Sequence, residues 1–135
     1  MSTSGSPDAE VTPVTILAVA VGGFVGAPAR FVLDRRISDR WERDFPLGTF
    51  IINVSGSAGL GLVVGLRLVG VLPAAWEAFF GTGFCGAFTT FSTWSFETVR
   101  LLEEGENLQA TLNVAVSIVV GLIGAGVGLA LGLAF

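Results

Sequence analysis

Four long apolar runs alternate with short polar stretches along the chain. The first spans Val14 to Leu33, the second Leu47 to Leu66, the third Ala74 to about Val99, and the fourth Leu108 to Phe135. A helix needs roughly 20 mainly apolar residues to cross a hydrocarbon core of about 30 Å. The pattern therefore predicts four membrane-spanning helices, the last with length to spare for tilting. A transmembrane β-barrel would need alternating strands of about 10 residues, which these continuous runs are not. Ahead of the first run, "MSTSGSPDAEVTP" is polar and acidic and lacks the positive region of a cleavable signal. It reads as a disordered leader over residues 1–13, with Pro13 marking the approach to the first helix. Residues 14–135 then form one all-α transmembrane domain.

The third run is not uniformly apolar. "GFCGAFTTFSTWSF", residues 83–96, places Gly83, Gly86, Thr89, Thr90, Thr93, Ser92 and Ser95 among aromatic rings. Such a composition predicts an interruption of the helix. Non-helical backbone at membrane depth survives only where protein buries it or where it lines a cavity. Its freed carbonyls can hold a cation, while freed N–H groups and helix ends favour anions. Phe88, Phe91 and Trp94 recur every three residues, so on a helix they line up along one face. Ring edges carry positive charge density and can meet a small anion. Rings alone would read as bundle packing; rings interleaved with hydroxyls on a broken helix point to a permeation path.

The other runs carry isolated polar positions. In "PLGTFIINVSGS" Thr49, Asn53 and Gly56 share one helical face. A solitary Asn reads first as an interhelical clamp, and Thr49 one turn away extends it into a polar track. The fourth run repeats the spacing with Asn113 and Ser117, and the first ends with Arg30, which either snorkels to the interface or draws an anion to a vestibule. Gly22 and Gly26, then Ser57, Gly61 and Gly65, then Gly124, Gly128 and Gly132 form small-residue stripes that let helix backbones approach. The sequence leaves open whether these stripes join helices of one chain or of two. Burying all of them together with a polar lining is easier in a dimer.

Composition sharpens the picture by exclusion. Hydrophobic residues make up 52% of the 135 and charged ones 13%, against about a quarter charged in soluble domains. The mean hydropathy is +0.78. The chain has no His, Lys or Tyr and a single Cys85, which excludes Ser–His–Asp catalysis, His-ligated zinc and an internal disulfide. Cys85 reads as a small apolar filler. The acidic balance, with a pI of about 4.6, gives no reason to expect nucleic acid as a partner. Arg35, Arg36, Arg40 and Arg43 cluster in the first loop, "DRRISDRWERDFP", and Arg100 lies on the same side, against Arg67 alone on the other. By the positive-inside rule this predicts a cytoplasmic first loop and external termini. No nucleotide-binding motif is present, and the only acids in the spans, Glu77 and Glu97, lie near the two ends of the third.

At "GGFVGAPAR", "PLGTFIINVSGS" and above all "GFCGAFTTFSTWSFE" the sequence resembles the Fluc/CrcB fluoride channels. The likeness covers all four spans, roughly residues 14 to 132. It implies a dual-topology, antiparallel dimer in the cell membrane, in which broken third helices cross at the centre. It implies a structural sodium ion held by the backbone carbonyls of Gly86 and Thr89. Two fluoride pores would flank the ion, touched by Asn53 and Phe91, with Trp94 in place of a second pore phenylalanine. Thr49, Thr93 and Ser117 would form a hydroxyl track, and Arg30 matches the first-helix arginine. The implied function is passive fluoride export and hence fluoride resistance. Ala87 departs from the family's second glycine, and Asn113 stands where many members have Tyr. The family also includes paired chains that insert oppositely and form heterodimers, which suits the lopsided arginines better than a homodimer does. A four-helix drug exporter would need a carboxylate within the first span, and Val14 to Leu33 contains none. A small membrane enzyme would need a clustered acidic metal site, whereas Glu103, Glu104 and Glu106 read as a solvated turn.

Overall fold

The computed structural model describes residues 11–135, all helix and connecting turns with no strand among them. The elements are α1 (Pro13–Ser38), α2 (Leu47–Leu68), α3 (Ala74–Glu77), a π-helical segment (Ala78–Cys85), α4 (Gly86–Phe88), α5 (Phe91–Glu103) and α6 (Asn107–Leu133). Most of the predicted leader lies outside the described residues. At its end Thr12 caps α1, accepting from the Thr15 N–H at 3.2 Å, with Pro13 in the first turn where its missing N–H costs nothing.

Among the described residues three helices, α1, α2 and α6, are long and apolar enough to cross a membrane. The predicted third span differs. Its sequence is divided between residues 74–88 and α5, and the 13 residues of α5 rise only about 20 Å. The first loop is also shorter than expected, because α1 continues through Arg35 and Arg36 to Ser38. Two cations in a last turn meet the negative end of the helix dipole, which favours the extension.

The glycine stripes are spent inside the chain. On α1, a Cβ at Gly22 would fall on the Phe79 carbonyl, and one at Gly26 would lie 2.5 Å from the Phe84 carbonyl. Gly83 returns the contact, its Cβ position 2.7 Å from the Val19 carbonyl. Between α2 and α6, Gly61 meets the Ala125 carbonyl and Gly128 that of Ala58, while Gly65 and Gly132 would place a Cβ 2.7 and 2.6 Å from the carbonyls of Leu129 and Leu62. The bundle is thus two close helix pairs, α1 with the π-helical segment and α2 with α6. Side-chain size at the seam sets the approach, because apolar tails outside offer no hydrophobic drive. The stripes therefore give no argument for a second chain.

Gly70 and Gly105 have φ of 78° and 79° and end α2 and α5. In each case the following N–H reaches back, Val71 to Leu66 at 3.0 Å and Glu106 to Leu101 at 2.8 Å, the left-handed helix stop that glycine alone adopts freely.

Candidate functional site

The backbone leaves the helix at Thr89 and Thr90, whose φ, ψ are −77°, 157° and −146°, 120°. Their own side chains help to cause this. Thr89 turns its hydroxyl back to the Cys85 carbonyl at 3.0 Å, satisfying the end of one helix. Thr90 caps the next, accepting from the Thr93 N–H at 3.3 Å and donating its hydroxyl to Thr93 Oγ1 at 3.1 Å.

The exposed peptide edge of Thr90 is closed by Asn53. The Thr90 N–H donates to Asn53 Oδ1 at 2.8 Å, and Asn53 Nδ2 donates to the Thr90 carbonyl at 3.0 Å. The amide thus stands in for the neighbouring strand or turn that the extended backbone lacks. One Nδ2 hydrogen remains for another acceptor. A turn further along α2, Gly56 gives room for Thr89: its Cβ would collide with Thr89 Cγ2. Thr90 was not among the expected site residues. Its signal was legible as a threonine opening "TFSTWSFE", a cap position before an amphipathic helix.

Beside the break lies an open cavity of about 650 Å³, lined by Asn53, Gly86, Thr89, Phe91, Trp94 and Ser117 among others. At about 30 Å³ per water this is space for some twenty molecules. The cavity gathers those six expected residues and leaves three aside. Thr93 is tied into the Thr90 cap. Arg30 is half-buried on α1 and forms no ion pair within 4.0 Å among the described residues. Thr49 is buried facing Glu97, its Oγ1 and Glu97 Oε2 both shielded from solvent and short of an ordinary hydrogen bond.

The expected stripe of three rings is split. Phe88 precedes the break, is buried, and stacks on Phe84 with centroids 5.4 Å apart. Phe91 and Trp94 follow it and pack together at 5.3 Å, with Phe91 76% exposed. Spacing by three aligns residues only while the helix continues, and two extended residues reset the phase. On α6, Asn113 is fully buried, and Ser117 Oγ reaches its Oδ1 only at 3.5 Å.

The carbonyls of Gly86 and Thr89 receive no backbone hydrogen bond across the break. Gly86 faces open space, since a Cβ there would meet only the Gly81 carbonyl at 4.0 Å. Carbonyl oxygens without backbone partners are donors of the hard kind that an alkali cation takes. Among the described residues no cluster of three His, Cys, Asp or Glu offers a different metal centre.

Comparison with known proteins places this arrangement. Residues 17–129 match the family model described as CrcB-like protein, Camphor Resistance (CrcB). A protein of Leifsonia xyli named fluoride-specific ion channel FluC 1 is 48% identical over 122 residues, covering 90% of this chain and 89% of its own length. A Streptomyces avermitilis protein of the same name is 47% identical over 106 residues, 78% of this chain and 86% of its own. One from Thermococcus kodakarensis, named fluoride-specific ion channel FluC, is 48% identical over 105 residues, 77% and 84% of the two chains.

Proposed function

The chain belongs to the CrcB-like family and is a multi-pass membrane protein, and from that premise we propose that it is a fluoride-selective channel for passive export. The observation that carries the reading is the cavity beside the Thr89–Thr90 break, where an amide, hydroxyls and two aromatic rings converge without a carboxylate. Fluoride leaving water needs replacement donors, and the spare Nδ2 hydrogen of Asn53, the Ser117 hydroxyl and the ring edges of Phe91 and Trp94 are of the right kind. Thr49, Thr93 and Arg30 would act further along the path. An inside-negative potential drives an anion outward by about 2.3 kcal/mol per charge per 100 mV, so no energy-coupling site is required.

The same reading includes four membrane crossings, with residues 74–103 as the third, and an antiparallel dimer. A cavity open on one side and several water volumes wide cannot by itself discriminate between anions. A second subunit facing it would narrow the passage and complete the cation shell begun by Gly86 and Thr89. A sodium ion held there would supply fixed positive charge at the subunit junction; this chain's part is the pair of carbonyls. The arginine bias, five against one with Arg30 set aside, favours a single orientation and hence an oppositely inserted homologue as partner.

The test is ion release from liposomes carrying the purified chain, with fluoride and chloride followed together. Rapid fluoride release without chloride release is expected if the chain pairs with itself. Release that appears only after an oppositely inserted homologue is added would identify a heterodimer. Equal release of both anions would sink the selective-channel reading.

A further inference from the structure

Trp94 is held by contacts that an ion pathway alone would not require. Its indole N–H donates to the main-chain carbonyl of Asn113 on α6 at 3.2 Å. The Asn113 side chain is wholly buried and its Nδ2 donates to Thr98 Oγ1 at 2.8 Å. That hydroxyl in turn donates to the Trp94 carbonyl at 2.8 Å. A closed circuit of three hydrogen bonds therefore joins Trp94, Asn113 and Thr98, and it crosses from α5 to α6. Neither Thr98 nor Asn113 lines the cavity, whereas Trp94 does, with its ring against Phe91.

We propose that Thr98 and Asn113 are positioning residues whose hydrogen bonds fix the Trp94 ring as one wall of the cavity. The alternative, that Asn113 itself contacts a passing ion, conflicts with its complete burial and with the commitment of its amide to Thr98. The indole N–H is likewise spent on α6, so Trp94 offers the cavity its ring and no hydrogen-bond donor. Inside a bilayer a freed amide finds no water to replace its partner, which makes the circuit a stiff support. Lateral freedom of this ring would change the gap beside Phe91 and hence the rate of passage. Only this last step rests on the fluoride reading.

The first experiment reads exchange in the parent chain. In uniformly ¹⁵N-labelled full-length protein the three indole N–H signals are assigned by single Trp→Phe changes, and their exchange with deuterium is followed. Trp94 should exchange at least tenfold more slowly than Trp76, which is half exposed and makes no indole hydrogen bond. Equal exchange would overturn the proposal. The second compares Thr98→Val with Thr98→Ser, the latter keeping the hydroxyl. Thr98→Val should shift the Trp94 indole signal, speed its exchange and lower fluoride release roughly tenfold, the scale of one buried hydrogen bond; Thr98→Ser should do neither. A shifted signal with unchanged release would overturn the control of passage by the ring. A protected Trp94 indole in a chain that releases no fluoride, either alone or with an oppositely inserted homologue, would uphold the support and sink the channel reading.

Discussion

Two seams of this bundle solve the same problem in opposite ways. Along α2 and α6 the backbones are unbroken, every interior peptide is satisfied within its own helix, and glycines bring carbonyls and Cα atoms almost into contact. At Thr89–Thr90 the backbone is broken, and side chains from the same stretch and from α2 satisfy what the helix gives up. At Gly61, Gly65, Gly128 and Gly132 the first seam tolerates no added atom. The second depends on a few polar groups, each with a partner that is left stranded without it. Rigid packing surrounds the break, so polar function is concentrated where helical hydrogen bonding is absent.

The largest expected effect comes from Asn53→Leu, which strands both the N–H and the carbonyl of Thr90. Each stranded buried group costs about 1–3 kcal/mol, so unfolding in detergent should show a loss of about 3 kcal/mol, and fluoride release should fall at least about 100-fold. Asn53→Asp, which keeps the acceptor and loses the donor, should retain more stability than the leucine variant while still conducting poorly. Full release in either variant would break the contrast between the seams.

Next is Gly128→Val on the packed seam. Its Cβ would fall on the Ala58 carbonyl, and overpacking of this kind costs about 1–3 kcal/mol. The thermal midpoint should drop, while release per folded protein stays near that of the parent chain. Gly126→Ala, with no atom within 4 Å of the new Cβ, is the matched control and should move the midpoint by less than about 0.5 kcal/mol equivalent.

A third variant separates function from folding. Phe91 is 76% exposed in the single chain, so Phe91→Ile should leave subunit folding intact and cut fluoride release by about tenfold, a barrier change near 1.4 kcal/mol. Reduced folding without a change in release per folded protein would reverse the assignment. The smallest effect belongs to Arg67→Gln. The Arg67–Glu77 bridge is 3.1 Å long, but its side chains are 45% and 42% exposed, and such pairs contribute about 0–1 kcal/mol.

Much of the fold was legible in the chain. The long apolar runs gave α1, α2 and α6 to within a few residues, because roughly 20 apolar residues in a row leave few alternatives. Pro13 marked the start of α1 by local chemistry alone. The polar interruption at 83–96 was visible for the same reason. The reading failed where it extended helical periodicity through that interruption: Phe88, Phe91 and Trp94 are evenly spaced in sequence, but Phe88 belongs to α4 and the other two to α5. It also placed Thr90 in the interruption without making it a site residue, because its partner Asn53 lies 37 residues away.

Sequence by itself determined the membrane class, the long spans of α1, α2 and α6, the stretch that holds the interruption, and the exclusion of Ser–His–Asp catalysis and His-ligated zinc. These follow from composition and local propensity, which act between near neighbours. Tertiary structure decided which helices pair, that the glycine stripes meet within one chain, that Asn53 is a clamp on Thr90, and that Trp94 leans on α6 through Asn113. Those facts depend on groups tens of residues apart arriving at hydrogen-bonding distance, and a pattern along one strand of sequence carries no record of what lies across from it.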